Sequence, residues 1–132
     1  MSEENVEIVQ AFLDASRLRD TDTLMAALDP AIEWLPVHDD PDYRVHHGLE
    51  DVAAWLAEWS QVFPDMRWEA ERIIDAGHDT VVAIVRALGR GDTTGAEVGT
   101  PRYSVAFEVR GGRIVRIDED DADARKAVEL EE

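Results

Sequence analysis

Cysteine is absent from the 132 residues, which excludes disulfides, thiolate nucleophiles and cysteine-held zinc or iron–sulfur centres. Positive charge is scarce: 13 lysines and arginines stand against 30 aspartates and glutamates, a formal net charge of −17. A field of that sign repels phosphate backbones and anionic lipid headgroups, so neither nucleic acid nor a membrane surface is expected as a partner. No apolar run approaches the length of a bilayer span. The opening MSEENVEIVQ is acidic and polar, without the basic start and apolar stretch of a secretory signal, so a cytoplasmic protein is expected. The histidines do not form an HExxH or HxH pattern, and no metal site is expected. A plain reading of the acidic excess is solubility.

What the chain does have is 45% hydrophobic residues, enough for one continuous core, in a length that fits one domain, taken as residues 1–132. Apolar residues at helical spacing (Val6, Val9, Phe12, Leu13) predict a helix over 3–19. RDTDT supplies caps for a short second helix that Pro30 ends, and AIEWLP reads as a short strand. After the polar loop HDDPDYRVHHG, with a brief extended piece near its end, Val52, Trp55, Leu56, Trp59 and Val62 mark a third helix from about Leu49. The period then changes. Residues 66–74, 79–90, 97–110 and 113–121 read as four strands joined by the turn signals DAGHD, GDTTG and RGG. Helices first and a meander after predict an α+β domain, with the helices packed on one face of a mainly antiparallel sheet.

Alternation assigns faces. Tyr103, Val105, Phe107 and Val109 share one side of the third long strand, and Val115, Ile117 and Glu119 share one side of the last. An otherwise apolar face therefore carries one carboxylate, Glu119. Desolvation there favours the neutral form and suits acid/base work, with Tyr103 on the same face as a hydroxyl donor. The alternative is a carboxylate that reaches solvent at the sheet end or pairs with a basic group. His38, His46 and His47 flank the polar loop; His46 is taken as a candidate proton carrier and His38 as a candidate substrate contact, against the alternative of solvated loop histidines. Trp55 and Trp59, four apart on one helix face, and Trp34 could line a pocket for a flat apolar ligand or could be plain core. Val82, Ile84 and Leu88 form an apolar group on the other sheet face, a candidate homodimer surface.

Four strings in order, NVEIVQAFLDA, RDTDTLMAALDPAIEWLP, HHGLEDVAAWLAEW and FEVRGGRIVRIDE, resemble the SnoaL-like branch of the nuclear-transport-factor-2-like superfamily. The resemblance implies a conical fold, a strongly curved sheet wrapped around the N-terminal helices with a pocket open at one end, and dimerisation through the outer sheet face. The superfamily includes ketosteroid isomerases, polyketide cyclases, dehydratases and limonene epoxide hydrolases, so fold leaves function open. The positions that would carry ketosteroid isomerase chemistry hold Phe12, Trp34 or Leu35, and Val105, none of which can do it. Against the epoxide hydrolases, Glu119 matches the final-strand aspartate and Arg86 the arginine, but Leu88 stands where the second aspartate belongs. The resemblance implies a cofactor-free small-molecule enzyme using Glu119, Tyr103 and His46. Its hydrophobic substrate would be lined by Phe12, Trp34, His38, Trp55, Trp59, Val105, Phe107 and Ile117. The alternative is a ligand-binding or interaction module of the same shape without chemistry.

Overall fold

A computed structural model describes residues 2–36, 44–62, 65–90, 97–99 and 102–119. The first helix, α1 (Ser2–Leu18), is followed by the short α2 (Thr21–Ala26) and then β1 (Leu28–Leu35) and β2 (His46–His47). Helix α3 (Gly48–Val62) precedes the strands β3 (Arg67–Gly77), β4 (Thr80–Arg90), β5 (Glu97–Gly99), β6 (Tyr103–Arg110) and β7 (Arg113–Glu119). One sheet runs in the order β2-β1-β7-β6-β4-β3, with β5 added to β4. All pairings are antiparallel except β1 with β7. This is the expected α+β architecture, helices on one face of a mostly antiparallel sheet. Among the described residues no helix is long and apolar enough to cross a membrane.

The local chemistry explains the element ends. Arg19 closes α1 in the left-handed region (φ 59°), and the Asp20 N–H returns to the Ala15 carbonyl at 2.8 Å. Asp20 then caps α2, accepting from the Thr23 N–H at 3.3 Å and from its hydroxyl, and these two bonds hold its carboxyl below the usual value, the hydroxyl contributing more. Pro30, expected from sequence to end this helix, does not: α2 stops at Ala26 and Pro30 lies inside β1. Proline has no N–H to give a ladder, and the β1–β7 register shifts between Leu28 and Glu33 around it. The expected strand over 97–110 is two strands, β5 and β6, both on β4.

The core lies between α1 and the inner sheet face. Val81, Ala83 and Val85 of β4, Val105, Phe107 and Val109 of β6, and Ile114 and Ile117 of β7 are buried against Val9, Phe12 and Leu13. Phe12 meets Phe107 edge-on at 5.7 Å. In β7 the inner residue near the turn is Ile114, not Val115 as expected, because the β6–β7 register shifts between Glu108 and Val109. On the other face Val82, Ile84 and Ile74 form a small buried cluster with Ala106. Leu88, expected to extend that outer group, is instead a cavity-lining residue.

Phe107 is fully buried, whereas Leu18 is 67% exposed. Phe107→Ala is expected to lower unfolding stability by about 3–5 kcal/mol, through lost burial and the void it leaves. Leu18→Ala should stay within about 0.5 kcal/mol of wild type. Denaturant titration of both variants checks the contrast.

Candidate active site

The inner sheet face is covered by helix only along part of its length. Beyond Phe12 and Trp34 the wall opens into a cavity of about 770 Å³. It is bounded by the end of α1, by α2, by one side of α3 and by the ends of β3, β4 and β6. Phe12, Trp34, Trp55, Trp59, Tyr103 and Glu119 of the expected site all line it. The space is within the range of small-molecule sites, and its walls are predominantly apolar and aromatic.

Glu119, the last residue of β7, is buried with 6% exposure. Both of its oxygens accept hydrogen bonds. The Trp34 indole N–H donates to Oε2 at 2.8 Å, and the Tyr103 hydroxyl donates to Oε1 at 3.0 Å. The Trp68 indole N–H in turn donates to the Tyr103 oxygen at 2.9 Å. An indole N–H can only donate, so the Trp68 bond occupies a lone pair of Tyr103 and leaves that hydroxyl proton for Glu119. Two donors stabilise an ionised carboxylate, whereas the apolar walls oppose it; the sequence supplied only the second effect.

The rings form a connected lattice. Trp34 packs against Trp55 at 5.3 Å, Trp68 at 5.6 Å and Phe12 at 6.1 Å. This lattice explains a correction. Val105, Phe107 and Ile117, expected as substrate contacts, do not line the cavity; they are fully buried in the core, with Phe12 and Trp34 at the cavity wall.

His46 is also displaced from its expected role. It pairs with Trp34 across β1 and β2, is 3% exposed, and stacks on Trp55 at 4.4 Å and 21°. It is not a lining residue: Trp55 presents its ring to the cavity and His46 braces it. The histidine Nδ1 lies 3.5 Å from Asp51 Oδ1. Asp51 also receives the Arg44 guanidinium at 3.0 and 3.2 Å and the His47 backbone N–H at 3.0 Å. His38 lies outside the described residues. Arg86 is exposed and shares the outer face with Val82 and Ile84, so it does not join Glu119 as the epoxide hydrolase pattern requires.

The sequence reading missed Trp68, Arg19 and Arg67. Arg19 and Arg67 both line the cavity, and both reach Asp65, at 3.5 and 3.1 Å; Arg67 also reaches Glu69 at 3.3 Å. Ser16 of α1 accepts the Trp68 backbone N–H at 3.0 Å and so ties the helix to β3 beside the cavity. Among the described residues no group of three His, Asp or Glu side chains could hold a metal ion.

Asp51 gives a pH test of the scaffold behind Trp55. The Arg44 guanidinium, then the His47 N–H, hold its carboxyl well below the ordinary 3.8. A lowered folded-state value contributes stability that is complete above the unfolded value and is lost as pH falls through the folded one. Asp51→Asn is therefore expected to melt below wild type at pH 7, with the difference shrinking as the pH is taken well below 3.8. Melting curves from pH 7 to strong acid read this directly.

Solved structures share this fold. An NTF2-like protein of unknown function from Burkholderia pseudomallei is 21% identical, with 96% of each chain covered and a TM-score of 0.74. TerC, co-crystallised with polyporic acid, is 19% identical, covering 98% of this chain and 99% of that one, with a TM-score of 0.74. A protein of ketosteroid isomerase-like fold from Catenulispora acidiphila, in complex with trimethylamine, is 15% identical, covering 86% of this chain and 83% of that one, with a TM-score of 0.71. At these identities the likeness is one of fold. No curated protein matches the sequence. The SnoaL-like domain model matches residues 9–117, nearly the whole described body, and the chain belongs to the SnoaL-like domain family.

Proposed function

We propose that the cavity takes a small, mainly apolar organic molecule and that Glu119 exchanges a proton with the group that reaches it. The supporting observation is a buried carboxylate on the wall of an aromatic cavity, both oxygens fixed by Trp34 and Tyr103. A fixed carboxylate is an oriented proton acceptor, and orientation is a large part of acid/base catalysis. In the proposed step Glu119 takes a proton from a carbon beside a carbonyl and the electron pair moves onto the carbonyl oxygen. The same carboxyl then returns the proton to a second position. This is the balance of an isomerase step and draws on no cofactor; in a cyclase the enolate carbon instead bonds to a second carbonyl carbon, whose oxygen takes the proton, and in an epoxide hydrolase Glu119 takes the proton from water as its oxygen bonds to carbon and the opened epoxide oxygen is protonated. Tyr103 is the second polar participant, its hydroxyl oriented by Trp68.

Two of the fold neighbours were solved with small organic ligands, polyporic acid in TerC and trimethylamine in the Catenulispora acidiphila protein. They support a ligand-holding cavity here without choosing a ligand. A second reading, a binding site without turnover, has support in the same two hydrogen bonds, because donors that satisfy a carboxylate also lower its appetite for a proton.

A thermal-shift screen with steroids, terpenoids, aromatic polyketides and small epoxides, repeated on Glu119→Gln, separates these. A ligand at about a hundred times its dissociation constant adds about 2.7 kcal/mol, several degrees for a domain of this size. The catalytic reading expects a ligand that wild type converts and the variant binds but converts at least ~100-fold more slowly, the usual scale of general acid/base contributions. Binding and no conversion by either protein leaves the binding-site reading. Absence of any ligand across the four classes overturns the proton transfer on a neutral carbonyl or epoxide substrate.

A further inference from the structure

Of the charged residues that line the cavity, Arg19 and Arg67 are paired with Asp65, whereas Glu119 meets only neutral donors in Trp34 and Tyr103 among the contacts described above. We infer that its ligand is a cation: an apolar molecule bearing a protonated amine, seated with its N–H toward Glu119. This deepens the reading of the cavity as a ligand site and rests on it, and it takes the place of the carbon-acid step, because an N–H seated on Glu119 holds the position from which a carbon proton would be taken.

Three observations carry the inference. The first is Glu119 itself. Its two oxygens accept from Trp34 and Tyr103, and the Trp68 indole fixes the Tyr103 hydroxyl in the donating direction. These three hydrogen bonds all run toward the carboxylate, which is the arrangement that favours negative charge there. A ligand group meeting Glu119 gains most by bringing positive charge and an N–H.

The second is the wall. Phe12, Trp34, Trp55, Trp59, Trp68 and Tyr103 all line one cavity. Ring faces carry the negative end of the aromatic quadrupole, and a cation within about 6 Å of a ring centroid is attracted, indole most strongly. All four tryptophans of the sequence are among these six rings. An aromatic wall alone would suit any flat apolar molecule; combined with an oriented carboxylate it selects for charge.

The third is the setting. The chain carries a formal charge of −17, which draws cations toward the mouth and repels anions. The two arginines at the cavity do not reverse this. Arg19 and Arg67 converge on Asp65, and Arg67 also meets Glu69, so their charges are engaged by carboxylates at 3.1 to 3.5 Å.

The test uses three probes of matched size on the whole chain: (cyclohexylmethyl)dimethylamine, a cation at neutral pH; cyclohexylacetone, neutral; and cyclohexylacetate, an anion. Calorimetry gives the affinities, and tryptophan emission reports occupancy, because every tryptophan lines the cavity. The amine is expected to bind at least tenfold more tightly than either other probe and to perturb the emission. In Glu119→Gln that advantage should fall to less than threefold. Equal or tighter binding of the ketone would overturn the cation while leaving the cavity as a ligand site. Tightest binding of the acid would overturn it in favour of the arginines at the mouth. An amine advantage that survives Glu119→Gln would show that the carboxylate does not select the amine and would overturn the seating. Binding of none of the three, with emission unmoved, would sink the proposal and the ligand-site reading together.

Discussion

A carboxylate buried on an apolar sheet face is tolerable only where donors replace the water it has lost. Glu119 meets that demand with one indole and one phenol, and the phenol is itself met by a second indole. These four side chains come from β1, β3, β6 and β7, which are not all adjacent in the sheet. One charge thus ties together strands from both halves of the chain. The same rings that satisfy it also form the boundary between the packed core and the open cavity. Phe12 and Trp34 close the core over Phe107 and Ile117 and at the same time present a wall to the space beyond. The polar requirement of a single residue accounts for where the core ends.

Irregularities in the sheet decide which residues can take part. Counting by two from the inner residue Ile73 places Trp68 outside. The β3–β4 register shifts between Ala70 and Arg72, and the extra residue resets the alternation, so that Trp68 pairs with Ala87 and faces inward. Without that bulge Tyr103 would lack the partner that orients its hydroxyl. A second shift, between Glu108 and Val109, brings Ile114 rather than Val115 into the core, while Ile117 and Glu119 stay on the inner face.

Those shifts also mark the limit of what the sequence makes legible. Helical spacing and turn signals locate three helices and the meander, because each reflects a local energy: side-chain periodicity, capping and glycine-rich turns. Strict alternation is enough to place Glu119 and Tyr103 together, since no register shift intervenes between Ile117 and Glu119 or between Tyr103 and Phe107. It fails for Trp68, where a bulge lies between that residue and the rest of the inner row, and nothing local in RWEAERIID announces it. Pro30 misleads for a related reason: read locally it stops a helix, but tertiary pairing with β7 places it in a strand whose register shifts around it. His46 misleads because its character as a titrating loop residue says nothing of the tryptophan packed over it. Arg19 and Arg67 become cavity residues only once α1, β3 and the turn at Asp65 are assembled.

Phe12, Trp34 and Val105 bring no titrating group to the cavity, and each has its place in the packing. Phe12 and Trp34 are wall and floor, and Val105 is buried beneath them. Trp34 donates its N–H to Glu119, so its removal would undo both packing and charge compensation. On the proposed reading, one pinned carboxylate within a ring lattice narrows the choice of ligand. It rewards a molecule with a large apolar surface and a single polar feature, placed where the two donors already point. The chemistry available to the cavity is therefore set less by which catalytic groups are present than by how completely the aromatic residues direct their hydrogen bonds onto Glu119.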